Sequence, residues 1–244
     1  MRVYIVSDFH LSFSPQNEDE KQRSEKVVRF IDSLINHADI LIMAGDIFDL
    51  WYDWGNTIIK GYFPLLKKLA DLKEAGCRLI FIAGNHDFWF GDFLQSYLNC
   101  EVYQDNFEEI INNKKIFVSH GDLYTMNDRR YRIFRTILRH SITRFLFSIL
   151  HPEIALKLGK MLSRTSRARN SIPEKQSNRR SLGLDRFAES LASTYDLIVL
   201  GHSHNPKRKE LNGSIYVNTG DWVSNSSYLL MTDNKVELLQ YKVD

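Results

Sequence analysis

The chain has 244 residues, of which 43% are hydrophobic and 25% are charged. These proportions are typical of globular proteins and exclude intrinsically disordered, collagen-like and mucin-like chains. The length favours one domain, because hydrophobic cores divide only above about 250–300 residues.

The positive charge is concentrated in one part of the chain. Residues 128–180 contain 14 of the 32 basic residues but only three of the 30 acidic ones. The rest of the chain therefore carries a net negative charge. This division predicts an anionic ligand or surface next to the basic segment.

Two features of the sequence bear on the cellular compartment. Cys77 and Cys100 are too few for a disulfide framework and lack metal-type spacing, which favours a reducing compartment. Asp8 and His10 lie where a signal peptide needs its apolar core, and no stretch approaches the ~18 apolar residues of a membrane span. We therefore expect a cytoplasmic protein, which can bind a membrane without crossing it.

Short apolar runs alternate with helical patterns along the chain. Buried strands are predicted at 3–6, 40–43, 79–82, 116–118 and 197–200. Helices are predicted at 24–36 and 62–74, and Gly76 is expected to end the second helix. Three further runs predict a closing antiparallel group, at 215–217, 228–231 and 236–241. This alternation predicts an α/β layered fold.

The alternation breaks between residues 129 and 164. The pattern there is helical for over thirty residues, with a break expected at Pro152, and an apolar stripe runs from Ile133 to Leu150. The basic and polar segment 163–178 is predicted to be a loop. We interpret residues 129–180 as a helical cap inserted within one domain formed by 1–128 and 181–244.

Each of the five predicted strands ends in carboxylate, amide or imidazole side chains. The clusters are DFH at 8–10, GDIFD at 45–49, GNHD at 84–87, SHGD at 119–122 and GHSH at 201–204. Ligands bind at the carboxyl ends of strands in α/β sheets, so the clusters are expected to converge. Oxygen and nitrogen ligands without thiolates favour manganese, iron or zinc over a calcium cage. Each cluster alone is common in ordinary turns, but five such clusters, each after a predicted strand, predict a metal centre.

The five clusters, in this order, resemble the motifs of the calcineurin-like metallophosphoesterases. The resemblance covers the chain from Asp8 to His204 and implies a four-layer α/β/β/α sandwich with two divalent metal ions. The expected metal is manganese, with iron or zinc as alternatives. The family pattern implies that one ion is held by Asp8, His10, Asp46 and His204. It implies that the second is held by Asp46, Asn85, His120 and His202.

The same resemblance implies a catalytic imidazole at His86, directed at the phosphate rather than at the metals. Asp49 follows the bridging Asp46 by three residues, and we predict that it pairs with His86. A carboxylate partner would raise the pKa of His86 and orient its ring. The alternative for Asp49 is a carboxylate that caps a turn.

A narrower resemblance concerns the segments 45–55 and 119–135 and the basic run at 166–170. They are similar to the UDP-2,3-diacylglucosamine pyrophosphatases of lipid A synthesis, which release UMP and 2,3-diacylglucosamine 1-phosphate. That resemblance implies that the cap takes two acyl chains, that its arginines neutralise the phosphates, and that four residues contact the substrate: Asp128, Ser166, Arg167 and Asn170. Two positions depart from the pattern. His86 stands where those enzymes typically have arginine, and Pro173 where a lysine is expected.

Other functions stay open at this point. His86 favours a phosphoesterase that acts on another phosphomonoester or phosphodiester. A non-catalytic binding module is less favoured, because such a protein should have lost metal ligands and none is missing from this sequence. Arginines alternate with apolar residues rather than exposed aromatics, which favours lipid over nucleic acid as the partner. The cap therefore predicts peripheral attachment to the inner face of the cell membrane. The alternatives are burial of its apolar stripe or an oligomer contact.

Overall fold

Two β-sheets form the centre of the protein. The computed structural model describes residues 1–126, 129–170 and 174–242, with side chains throughout except at 129–130, 162–170 and 174–179. The strands are β1 (Val3–Val6), β2 (Ile40–Ala44), β3 (Arg78–Ile82), β4 (Glu101–Tyr103), β5 (Asn106–Ile111), β6 (Lys114–Ser119), β7 (Leu197–Leu200), β8 (Lys207–Leu211), β9 (Ser214–Asn218), β10 (Ser227–Met231) and β11 (Val236–Gln240).

The first sheet has six strands in the order β11-β10-β1-β2-β3-β4, and the second has five in the order β5-β6-β7-β9-β8. Strands β1 to β4 are parallel, as are β6, β7 and β9. The remaining strands pair antiparallel at the sheet edges or, for β10, beside β1. Parallel pairing places the carboxyl ends of neighbouring strands at one edge, where the five sequence clusters begin.

Seven α-helices surround the sheets in the part of the chain that the structure describes. They are α1 (Glu18–Ser33), α2 (Phe63–Glu74), α3 (Phe93–Leu98), α4 (Arg129–Arg139), α5 (Ser141–Ser148), α6 (Pro152–Asn170) and α7 (Glu174–Leu191). Short 3-10 helices cover Lys60–Tyr62 and Asp122–Tyr124. Gly76, at φ +90°, follows the last turn of α2, as predicted.

Three apolar layers explain this arrangement. Side chains of a strand alternate between faces, so Ile5 and Ile42 lie between the two sheets while Val6 and Leu41 face α1 and α2. On the outer face of the second sheet, Leu184 of α7 packs into a third buried cluster. The order of layers is therefore α/β/β/α, which confirms the predicted fold.

Several predicted elements need correction. The three runs at 215–217, 228–231 and 236–241 do not form one closing group. The first run is β9, which lies parallel to β7 in the second sheet, whereas β10 and β11 lie in the first sheet. Segment 163–178 was predicted as a loop, yet α6 extends through Asn170 and α7 begins at Glu174. Strands β4, β5 and β8 were not predicted. All three lie at sheet edges, where β4 has only three residues, β5 mixes polar with apolar residues and β8 is mainly charged.

Helices α4 to α6 lie over the metal-type clusters, and aromatic packing anchors α5 and α6. Phe147 of α5 contacts the rings of Tyr52, Trp54 and Trp89, and Ala155 of α6 is buried in the same cluster. Tyr52 and Trp54 therefore pack beneath the cap. Trp51 is also buried, in the main core.

The opposite face of these helices is apolar and exposed. The exposed fractions are 62% at Ile133, 63% at Phe145 and 65% at Ile149. This finding contradicts the alternative in which the stripe is wholly buried against the domain. Within the described residues, no helix combines the length and apolar composition that crossing a bilayer requires.

Candidate metal and phosphoester site

The loops that follow β1, β2, β3, β6 and β7 meet at one end of the two sheets. They bring together every residue predicted to bind metal. The backbone holds the loops in register, because the amide of Asp8 donates to the carbonyl of Gly45 at 3.0 Å and that of His10 donates to Asp46 at 2.9 Å. The convergence predicted from the five clusters is therefore present in the fold.

Asp8, His10 and His204 form one compact group. Their nearest ligand atoms all lie within 4.8 Å of one another. Nε2 of His204 lies 3.2 Å from Oδ1 of Asp8, and Nε2 of His10 lies 3.6 Å from the same oxygen. Oδ1 of Asp8 is buried and has no hydrogen-bond partner among the described residues. A buried carboxylate oxygen facing two imidazole nitrogens suits a cation between them.

Asp46, His120 and His202 form a second group beside the first. Oδ2 of Asp46 lies 3.5 Å from Nε2 of His120, and Oδ1 of Asn85 lies 3.0 Å from the same nitrogen. Nδ1 of His202 is 3.2 Å from it. Oδ2 of Asp46 also lies 3.8 Å from Nε2 of His10, so this one carboxylate faces both groups.

The backbone of five of these residues is in the left-handed region. Asp8, His10 and Asp46 have φ of 54°, 46° and 54°, and His202 and His204 have φ of 64° and 58°. Residues other than glycine rarely adopt this conformation, which costs about 1–3 kcal/mol each. The surrounding fold therefore holds the side chains in a strained arrangement, which is typical of functional sites.

The carboxylates of the site are strongly anionic. Burial tends to raise the pKa of Asp8, but His120 and His204 hold it well below its usual range. Burial opposes charge on His120, yet Asp46 and Asp8 raise the pKa of His120 to about 10. Burial, with the nearby charges of His120 and Arg180, lowers the pKa of His202 to about 3. The carboxylates therefore favour a proton on His120, whereas His202 is neutral, and a buried anionic centre of this kind suits a cation.

His86 lies at the edge of both groups. Its Nε2 is 4.0 Å from Oδ2 of Asp46, and its backbone amide donates to Oδ1 of Asp46 at 2.8 Å. Nδ1 of His86 lies 3.3 Å from the backbone carbonyl of Asp49. The Asp49 carboxylate also faces His10, with Oδ1 3.7 Å from Nδ1. Asp49 is thus adjacent to His86, and pairing of their side chains stays a prediction.

The substrate residues predicted from the narrower resemblance are only partly placed. Asp128 and Pro173 lie outside the described residues. Ser166, Arg167 and Asn170 lie on α6, in the part where side chains are not described.

Arginines of the cap that were predicted to neutralise phosphates contact the protein itself. Arg135 pairs with Asp122 at 3.0 Å and with Asp105 at 2.8 Å. Arg139 donates to the carbonyls of Gly84 and Gln104. These side chains therefore attach α4 to the loops of the site. Helical periodicity could not have separated such inward-facing arginines from exposed ones.

Three acidic residues support the site and were not predicted. The Asp87 carboxylate accepts hydrogen bonds from the amides of Gly84, Asp46 and the next two residues, which positions two of the loops. Asp122 follows His120 by two residues and accepts from Tyr131 at 2.5 Å. Asp221 contacts His204. Asp87 and Asp122 stand inside the GNHD and SHGD motifs, so their position next to predicted site residues was a signal in the sequence. Asp221 lies outside every motif, and no pattern in the sequence indicated it.

This chain is similar to known proteins over most of its length. The sequence model of the calcineurin-like phosphoesterases matches residues 1–206, which include all five clusters. A UDP-2,3-diacylglucosamine hydrolase of Porphyromonas gingivalis is 27% identical, over 93% of this chain and 92% of its own. A protein of the same name from Haemophilus influenzae is 25% identical, over 96% of both chains. A solved archaeal phosphodiesterase is 13% identical, covers 98% of this chain and 99% of its own, and has a TM-score of 0.49.

Proposed function

This chain belongs to the calcineurin-like phosphoesterase family, and we propose that it hydrolyses the pyrophosphate of UDP-2,3-diacylglucosamine. The products would be UMP and 2,3-diacylglucosamine 1-phosphate. The observation that carries this proposal is the exposed apolar face of α4 to α6, which lies on the cap of a metal-dependent phosphoester hydrolase site. A substrate with a pyrophosphate and two acyl chains needs both features. Relatives that carry the name of this activity, such as those of Porphyromonas gingivalis and Haemophilus influenzae, match nearly the whole chain.

We assign the metal ligands as the family pattern implies. Asp8, His10 and His204 would hold one ion, Asn85, His120 and His202 the other, and Asp46 would contact both. When bound, two divalent ions supply Lewis-acid stabilisation for in-line displacement at phosphorus. Carboxylate, amide and imidazole ligands without thiolate suit manganese, iron or zinc, of which we propose manganese.

His86 would act on the reacting phosphate. Its side chain is 8% exposed, and its Nε2 is directed into the site while the backbone carbonyl of Asp49 orients Nδ1. A hydrogen bond from Nδ1 to that carbonyl leaves Nε2 for the substrate. The ring would donate a proton to the leaving oxygen or stabilise the charge that develops there.

Residues 129–180 would form the cap of a domain made of 1–128 and 181–244. The acyl chains would lie against its apolar residues, and Asp128, Ser166, Arg167 and Asn170 would contact the head of the substrate. We also propose that the cap docks on the inner face of the cell membrane. Exposed apolar residues such as Ile137 and Ile142 would enter the lipid, and exposed basic residues such as Arg132 and Lys157 would meet anionic head groups.

A second candidate function is hydrolysis of another phosphomonoester or phosphodiester, which the imidazole of His86 favours. One assay separates the two. Metal-free protein is incubated with UDP-2,3-diacylglucosamine, with and without Mn²⁺, and UMP is measured. Release of UMP that depends on manganese supports the main proposal. Absence of UMP with manganese, iron and zinc, together with turnover of bis(p-nitrophenyl) phosphate, would establish the second function instead.

A further inference from the structure

Asp221 lies beyond the matched family segment, which ends at residue 206, and its side chain is buried against the site. Oδ2 of Asp221 is 3.3 Å from Nδ1 of His204, and the other ring nitrogen of His204 faces Asp8. The three side chains form a row of carboxylate, imidazole and carboxylate.

We propose that Asp221 is a positioning residue for metal binding, which fixes the ring orientation and tautomer of His204. The inference rests on the proposed function, because it takes His204 as a ligand through Nε2. A histidine that binds metal through one nitrogen carries its proton on the other, and a carboxylate that accepts this proton also raises the basicity of the ligand. Asp221 is in place to accept it.

Hydrogen bonds hold the Asp221 carboxylate in one orientation. Oδ1 accepts from the amide of Ser224 at 2.9 Å, from the amide of Asn225 at 3.0 Å and from the side-chain amide of Asn225 at 3.0 Å. All these donors bind the same oxygen. Oδ2 is therefore the oxygen presented to His204.

His204 depends on such support more than the other histidines of the site do. Its side chain is 41% exposed, whereas those of His10 and His120 are 4% and 1% exposed. Packing fixes the buried rings, and His120 also has its Nδ1 3.0 Å from the carbonyl of Ala44. His204 is the more exposed ring, and its orientation depends on contacts at its two nitrogens: Asp8 and His10 face Nε2, and Asp221 faces Nδ1.

The variant Asp221→Asn separates this role from a structural one. The amide oxygen can still accept the three hydrogen bonds that Oδ1 accepts, so the loop keeps its contacts. The amide nitrogen then replaces Oδ2, so an N–H donor of the asparagine faces the N–H donor at Nδ1 of His204 and no hydrogen bond can form. Binding through Nε2 is disfavoured, and we expect the affinity of one of the two metal sites to fall about 10- to 100-fold.

The test is isothermal titration of the metal-free proteins with Mn²⁺. Asp196→Asn is the matched control, because Asp196 also accepts from a backbone amide, that of Lys115 at 2.7 Å, but lies in another loop. We expect weakened binding at one site in Asp221→Asn only, with unchanged thermal denaturation in both variants. In the zinc-loaded protein, the Nδ1 proton of His204 should be visible by NMR and should lose its carboxylate-shifted position in Asp221→Asn.

The outcomes distinguish the two levels of the proposal. If wild-type protein binds two ions and folded Asp221→Asn binds them equally well, the role of Asp221 is wrong while the proposed function stands. If wild-type protein binds no divalent ion, both are wrong. If both variants lose affinity equally, the effect is a general loss of stability and the positioning role is rejected.

Discussion

Gly84 lies so close to Asp46 that a Cβ atom added to it would be 2.2 Å from Oδ1 and 2.3 Å from the backbone nitrogen of that residue. The same atom would be 2.8 Å from Oδ1 of Asp87. Backbone cannot move aside as a flexible side chain can. The glycine of the GNHD motif therefore provides the space in which the central carboxylate of the site sits.

We predict that Gly84→Ala displaces Asp46 and weakens binding of both ions. The overpacking should also lower the free energy of unfolding by about 1–3 kcal/mol. Metal titration and urea denaturation measure the two effects. Gly213→Ala is the control, because Gly213 has φ +93° with no atom within 4 Å of an added Cβ, so it should lose stability but keep metal binding. Full metal affinity in Gly84→Ala would contradict the prediction.

Asp46 is the only residue assigned to both ions, and its carboxylate faces His10 and His120. We predict that Asp46→Ala loses both ions and all activity, while Asp8→Ala weakens mainly one site. Elemental analysis after dialysis counts the ions retained. Two ions per chain in Asp46→Ala would show that the ligand assignment is wrong.

His86 should behave differently from the ligands. Because its role is in proton transfer or charge stabilisation, His86→Asn is expected to lower kcat about 10²- to 10⁴-fold while keeping two ions. Steady-state kinetics and metal analysis on the same preparation check both parts. Loss of an ion in His86→Asn would instead identify this imidazole as a ligand.

The sequence predicted the fold class and which residues come together at the site better than it predicted how the individual strands pair. Five buried strands with ligands at their ends could be identified because apolar runs and polar clusters are local signals. Local signals do not show that β1 to β3 and β6 to β7 belong to different sheets. Nor did they predict β4, which has only three residues, or β8, where charged residues predominate. The left-handed backbone of Asp8 and His204 depends on tertiary contacts, so no pattern in the sequence could reveal it.

The attachment of the cap gives a further prediction. Arg135 and Asp122 form a buried ion pair, with side chains 16% and 5% exposed. Removing one partner of such a pair leaves an uncompensated charge, so Arg135→Ala should destabilise the protein by about 3 kcal/mol. Tyr131 still donates to Asp122, which keeps the loss near the lower end of the usual range. The exposed Lys157 of α6 is the control, and Lys157→Ala should change stability by less than about 0.5 kcal/mol. Equal urea midpoints for the two variants would contradict an anchoring role.

The last prediction concerns the exposed apolar face of the cap. Phe145 and Ile149 lie four residues apart, so their side chains share one face of the chain around α5, and both are more than half exposed. If this face enters lipid, the protein should co-sediment with anionic vesicles at low salt. The double variant Phe145→Asp/Ile149→Asp should remain in the supernatant, because two carboxylates are costly to bury and repel anionic head groups. Ile110→Asp is the control, since Ile110 is 70% exposed but lies on β5, outside the cap. Binding should weaken at high salt, because the Debye length falls from ~10 Å at 0.1 M to ~3 Å at 1 M. Wild-type protein that stays in the supernatant at low salt would refute membrane docking and leave the hydrolase assignment intact.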